Sequence, residues 1–302
     1  VIDSADSTGR AYLPEISLFL CTLAWGLSFT IMKDILGTGI SVIFFIFIRF
    51  AISSVILFPL CRKSLSGLGR SGMAAGFFLG LLLFVGFMTQ TTGLLYTTAS
   101  KSAFITGLSS VLIPFFLLFH RGKLPEPVVL TALLSATIGL YLLTGRAGGG
   151  FNFGDFLTLI CAVAFAAQIY FMGIVTKRYD TLALTLVELL AMTLLTGAIL
   201  PFEKILLVPS SKVIGALAFM AIFTTAATLS IQTWAQKRTS AVRAGLIFCA
   251  EPVFAYMFAF MILGERFNSM QLIGATVIIA AIVTSEIVPV LRRRRLRANA
   301  EA

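Results

Sequence analysis

Ten runs of about 20 apolar residues, joined by short connections, fill this chain almost end to end. They cover 15–32, 40–60, 73–95, 101–119, 126–144, 154–175, 182–202, 213–235, 241–263 and 268–290. A bilayer core about 30 Å thick takes roughly 20 residues of helix to cross. A membrane barrel would instead show strands of about 10 residues with alternating polarity, so run length predicts helices. Composition agrees. The chain is 58% hydrophobic and 12% charged, with a mean hydropathy of +1.00, whereas a soluble domain carries about 25% charged residues. There is too little polar surface to cover a soluble core, so the excess must face lipid. The fold class is an all-α integral membrane protein.

The chain also states one pattern twice. Sliding Lys101–Phe119 by 138 positions superposes Ser102 on Ser240, Ala103 on Ala241, Gly107 on Gly245, Leu108 on Leu246 and Pro114 on Pro252. A shift of 140 puts Cys21 on Cys161, Ala24 on Ala164 and Met32 on Met172. Ten runs therefore divide into two halves of five. An odd number per half makes the halves opposite in orientation, with a pseudo-two-fold axis in the membrane plane and a site near the midplane. The expected parts are an N-terminal tail at 1–14, a first five-helix repeat at 15–144, a linker at 145–153, a second repeat at 154–290 and a basic tail at 291–302. The expectation is ten transmembrane helices in two inverted repeats.

The net charge of +10 does not indicate nucleic-acid binding, because the basic residues sit between the runs and at the end, in Arg292–Arg295. The face that carries the termini holds fifteen Lys and Arg, among them Arg10, Arg62, Arg121, Lys177 and Lys237, against six on the other face, including Lys33, Lys101, Arg146, Lys204 and Arg266. The positive-inside rule then places both termini in the cytoplasm of a bacterial-type inner membrane. The N-terminal VIDSADSTGRAYLPE has no cationic n-region and no A-x-A site, so the first run is expected to stay as a helix. Cys21, Cys61, Cys161 and Cys249 show no metal or redox spacing and read as small buried hydrophobes. Gly67–Gly72 matches G-x-G-x-x-G but lies between membrane helices without a preceding strand, which excludes a dinucleotide site.

Trp25-Gly26 in the first run, the Ser-Ala…Pro pattern of the fourth and ninth, the Glu251-Pro252 pair, and Leu263-Gly264-Glu265 resemble the drug/metabolite transporter superfamily, in its ten-helix EamA type. The first half reads Arg121-Gly122-Lys123 where an echo of Gly264-Glu265 would stand. The resemblance implies a secondary carrier, often an exporter of amino acids or other small metabolites, that works by alternating access. It also implies a central cavity lined by helices 1, 3, 4, 6, 8 and 9.

Glu251 is the sharpest single clue, a carboxylate deep in an apolar run, where an ionised group costs a few kcal/mol. It reads as a substrate or proton site, or else as a structural acid that pairs with Arg243 or bonds a neighbouring backbone. Arg243 is eight residues away, roughly 12 Å along a helix. Pro252 frees the carbonyl of Phe248 and predicts a kink beside the carboxylate, and Pro114 is its counterpart. Arg49 and Glu188 hold matching places in the second and seventh runs. They either pair across the repeat interface as a gate or are each tied separately to backbone or water.

The uncharged polar residues suggest a cavity lining, or helix packing, where small and polar residues also gather. The candidates are Trp25 and Ser28, Gln90, Gln168, and Thr228 with Gln232 on the face that also holds Thr225. Tyr170 and Trp25 are deep enough to stack on a ligand, whereas Tyr96 and Trp234 fall at run ends and suit the interfacial belt. Gly72, Gly76 and Gly80 read as a packing ladder. His120, the only histidine, sits at a run end.

A membrane enzyme would need His, Asp or Glu clustered near one interface, and a scaffold would have no use for intramembrane charges. No Walker motif is present. The reading is therefore a secondary active transporter and not an enzyme, an exporter of a small organic metabolite such as an amino acid, with an integral membrane enzyme or scaffold as the alternative. The expected site has substrate contacts at Trp25, Ser28, Gln90, Gln168, Tyr170, Thr228, Gln232 and Glu251, and coupling or gating at Glu251, Arg49, Glu188, Pro114 and Pro252. No catalytic residue, metal or cofactor is expected. The expected partners are the solute, membrane lipids and protons, and the expected state is a monomer.

Overall fold

The computed structural model describes residues 12–144, 151–203, 210–263 and 268–301. The tail up to residue 11, the linker residues 145–150, Lys204, and the Gly264-Glu265 motif with Arg266 lie outside the described residues.

The described chain is helical. The helices are α1 (Leu13–Leu36), α2 (Val42–Ser66), α3 (Gly69–Tyr96), α4 (Ala99–Gly107), α5 (Ser109–Arg121), α6 (Pro127–Thr144), α7 (Phe153–Val175), α8 (Thr181–Ile199), α9 (Ser211–Ala221), α10 (Thr228–Gln236), α11 (Ala241–Phe248), α12 (Glu251–Leu263) and α13 (Ser269–Glu301). Three apolar stretches are interrupted. A turn at Leu108 separates α4 from α5, a π-helical turn at Ile222–Ala227 joins α9 to α10, and a turn at Cys249–Ala250 separates α11 from α12.

Eight spans have the length and apolarity to cross a membrane. The other two expected spans are represented by shorter apolar segments, Pro127–Leu142 in α6 and Ser269–Ser285 in α13. The runs expected at 126–144 and 268–290 are the helices α6 and α13, of which Pro127–Leu142 and Ser269–Ser285 are the apolar segments.

Helix starts follow local chemistry. The hydroxyls of Thr98, Ser210 and Ser240 accept the backbone N–H three residues on, as do the side chains of Asn152 and Asp180. These polar side chains satisfy amides that the first turn leaves open. Asn152 and Asp155 form a reciprocal capping box. Gly122 stops α5 in a left-handed conformation, φ 62°, which glycine adopts without a Cβ clash.

Packing between the halves follows the inverted repeat. α3 lies against α7 and α10 against α1; α5 lies against α7 and α12 against α1. The pairs α2–α8 and α6–α13 cross near the pseudo-axis. Glycines make the close approaches. A Cβ added at Gly80 would stand 2.6 Å from Ala191 Cβ and 3.0 Å from the Glu188 carbonyl oxygen. One at Gly139 would stand 2.8 Å from the Gly274 carbonyl oxygen. Gly76 and Gly80 thus seat α3 on α8, the packing role expected of that ladder. The apolar core has two parts, and Trp25 packs against both. Val55, Leu60 and Phe119 point outward, as a lipid-facing surface requires.

Candidate functional site

The interrupted helices meet around one cavity. Thr106, Gly107 and Ser109 border it at the α4–α5 turn, and Phe248 and Glu251 border it at the α11–α12 turn. At these turns the helical ladder lapses: Ala250 N–H bonds the Ile247 carbonyl and Cys249 N–H the Leu246 carbonyl, both over three residues. Unwound backbone is tolerated at membrane depth where it lines a cavity. The break falls at Cys249–Ala250, ahead of Pro252, and at Leu108, well ahead of Pro114. The break at Cys249–Ala250 is the kink expected beside Glu251, whereas in the first half the break falls well ahead of Pro114. Pro252 is the second residue of a new helix, where its missing N–H costs nothing, and Pro114 lies inside α5.

Arg49 borders the cavity and is 2% exposed. Its Nε donates to Thr225 Oγ1 at 2.5 Å, and its Nη2 donates to the carbonyl and hydroxyl oxygens of Thr224, both at 3.1 Å. Both threonines sit in the π-helical turn, whose extra residue turns a carbonyl toward the guanidinium. The Phe87 ring lies 5.2 Å from the Arg49 Cζ. Nη1 makes no hydrogen bond among the described residues. Across the cavity lining, Glu251 is partly buried and likewise has no ion pair or hydrogen bond among the described residues. Arg243 does not pair with it, because Arg243 turns to Glu15 instead.

The amides stand where the sequence suggested. Gln90, Gln168 and Gln232 all border the cavity. Gln90 Nε2 donates to Thr106 Oγ1 at 3.2 Å. Gln232 Nε2 donates to Gln168 Oε1 at 3.3 Å and to Gln236 Oε1 at 3.1 Å. Trp25 and Ser28 border it too, with the indole edge-on to Phe248.

Two expectations are corrected. Thr228 is absent from the lining; it receives the Trp25 Nε1 bond at 3.0 Å and so fixes the indole from behind. Tyr170 faces away, into a ring cluster with Phe116 and His120, because its position on α7 is two residues past Gln168 and so on another face.

Arg49 and Glu188 do not pair. Ser54 and Thr193, also 139 positions apart, meet at 3.2 Å where α2 crosses α8. Arg49 and Glu188 are five residues before this crossing on antiparallel helices, which separates them by about 15 Å along the helix axes. Glu188 is fully buried, approaches the Gln168 amide, and has no hydrogen-bond partner at either oxygen.

The residues the sequence reading missed are Thr106 and Ser109 at the first break and the aromatic walls Phe87 and Phe165, which border the cavity, and Thr224 in the π-helical turn, which holds Arg49. The repeat alignment carried a signal for the first break in its matched Gly107 and Gly245. Nothing in the sequence marked the π-helical turn.

Residues 13–145 and 152–285 each match the EamA-like transporter family. The chain belongs to the EamA-like transporter family. The two matched stretches are the two halves of the fold, so this EamA-like chain is a membrane transporter by family. It is 30% identical over 279 residues to an uncharacterized transporter of Archaeoglobus fulgidus, covering 92% of this chain and 87% of that one. It is 26% identical over 242 residues to the uncharacterized inner membrane transporter YicL of Salmonella typhimurium, covering 73% of this chain and 76% of that one. A solved crystal structure has the same fold at a TM-score of 0.76, with 18% identity over 95% of this chain and 99% of that chain.

Proposed function

We propose that this chain is a secondary carrier that exports a small zwitterionic organic solute, such as an amino acid, across an inner membrane by alternating access. The observation that carries the reading is the pairing of opposite charges on one cavity without a bond between them. Arg49 keeps Nη1 for a carboxylate, and Glu251 keeps its carboxylate for an ammonium group. Gln90, Gln168 and Gln232 offer neutral hydrogen bonds, and Phe87, Phe165, Phe248 and Trp25 offer apolar walls.

The enclosed space is about 60 Å³. Pockets for drug-sized ligands measure about 300–1,000 Å³, so in this conformation the cavity suits only a small solute, and alternating access would widen it as the halves move. Positive residues gathered on the face where α1 begins support cytoplasmic termini. Glu251 is the group placed to couple transport to protons.

The test is a thermal-shift series on the detergent-purified protein with amino acids, the amines left by their decarboxylation and the acids left by their deamination. A ligand at 100 times its Kd stabilises by about 2.7 kcal/mol. Zwitterions alone should raise the melting temperature, and Arg49→Gln and Glu251→Gln should each remove the shift. Equal shifts with amines or acids, or none with any compound, would overturn the zwitterion reading. Full pH-gradient-driven export by Glu251→Gln would exclude proton coupling through that residue.

A further inference from the structure

Two ion pairs outside the cavity are related by the inverted repeat. Glu15 and Asp155 are each the third residue of the first helix of their half, α1 and α7, and lie 140 positions apart, the shift that superposes Cys21 on Cys161. Lys101 and Arg243 are each the third residue of α4 and α11, the broken helices that reach the cavity, and each has its backbone N–H held by the capping hydroxyl of Thr98 or Ser240. Lys101 Nζ stands 2.5 Å from Asp155 Oδ2, and Arg243 Nη1 stands 3.6 Å from Glu15 Oε1. Each pair ties the first helix of one half to the cavity-forming helix of the other, and the two lie on opposite faces of the membrane bundle.

We infer that Lys101–Asp155 and Arg243–Glu15 are the two gate latches of the carrier, closing in turn on opposite faces. This rests on the alternating-access reading above.

The placement of the cations supports it. A helix N-terminus carries partial positive charge, so a lysine or arginine in the first turn is unfavourable there, whereas an acid is favoured. Both cations are in that position, and in both pairs the partner that offsets it comes from the opposite half. The pair therefore forms only when α4 and α7, or α1 and α11, are drawn together, which is what closing one face of the cavity means.

The two latches differ in state. Asp155 is fully buried, accepts from Thr97 Oγ1 at 2.7 Å and from Asn152 N–H at 2.9 Å, and binds Lys101 closely. Beside it, Lys33 Nζ donates to the carbonyls of Leu94 at 2.5 Å and Thr97 at 3.0 Å, which ties the end of α1 to the end of α3. That face is locked. On the face where α1 begins, the Arg243–Glu15 distance is beyond hydrogen-bond range, and Glu15 Oε2 is buried without a hydrogen-bond partner. That latch is the longer of the two. A rocking motion that shortened it would separate Lys101 from Asp155, because the pseudo-axis makes the two displacements opposite.

The test places a reporter cysteine on the cavity by Ser28→Cys, in a chain whose four native cysteines are all buried. Membrane vesicles of both orientations are treated with an impermeant maleimide. The reporter chain should label faster from the face where α1 begins. Lys101→Gln should raise labelling from the opposite face by about fivefold, and Arg243→Gln should lower it, since about 1 kcal/mol of ion-pair bias moves a two-state population by that factor.

Asp155→Asn and Glu15→Gln, which keep side-chain size, must repeat these two results. They also supply the answer if a lysine or arginine variant fails to reach the membrane. Changes of the same sign in both pairs, or no change in either, would overturn the latches. Equal labelling of the reporter from both faces before any latch change would instead overturn alternating access, and the latches with it. Asymmetric labelling that none of the four variants moves overturns the latches alone.

Discussion

Trp25 Nε1 donates a 3.0 Å hydrogen bond to Thr228 Oγ1, joining α1 of the first half to α10 of the second behind the cavity wall. Thr228→Val keeps the shape of the side chain and removes the acceptor. An indole N–H left unpaired in a buried place costs about 1–3 kcal/mol. The expected outcome is a lower melting temperature and a weaker ligand-induced shift, both recovered by Thr228→Ser. A wild-type response from Thr228→Val would show that the bond does not hold the indole in place.

Arg49 spans Thr224 and Thr225 with a planar fork that a lysine ammonium cannot copy. Arg49→Lys should destabilise the protein by about 3 kcal/mol, the scale of losing hydrogen bonds to a buried charge. The loss should shrink when Thr225→Val is already present, because the two residues share one bond. Thermal denaturation of the four proteins in this cycle measures the coupling, and additive losses would show that the fork is not what anchors Arg49.

Gly80 and Gly215 make a matched pair of positions. A Cβ at Gly80 meets Ala191 at 2.6 Å, whereas one at Gly215 meets nothing within 4 Å. Overpacking costs about 1–3 kcal/mol. Gly80→Leu should therefore lower the melting temperature and the yield of folded protein, while Gly215→Leu leaves both near the parent values. Equal effects from the two substitutions would count against close α3–α8 packing.

Much of the architecture was legible in the residues. Run length fixed the helices, since hydrophobic thickness and helix rise set one number. The shifts of 138 and 140 fixed the division into halves, which the separate family matches to residues 13–145 and 152–285 repeat. Trp25, Ser28, Gln90, Gln168, Gln232, Arg49 and Glu251, all drawn from the sequence, surround one cavity in the fold. Tyr170 and Thr228 were misread because polarity and depth in a run do not say which face of the helix turns inward. Pro252 marked the break at Cys249–Ala250 beside Glu251, but Pro114 was misread as the bend of the first half, which falls at Leu108.

The sequence by itself determined what acts locally or along one helix: apolar length, capping residues, charge between runs and the register of the repeat. The tertiary structure decided the partners. Arg49 and Glu188 look like a pair in the alignment, yet pseudo-symmetry carries them to opposite sides of the Ser54–Thr193 crossing. Glu15 and Asp155 look like unremarked acids near helix starts, yet folding sets each against a cation from the other half. The physical reason is that a position in a repeat fixes a residue's equivalent, whereas its contacts depend on its distance from the axis, and that distance exists only once the two halves have packed.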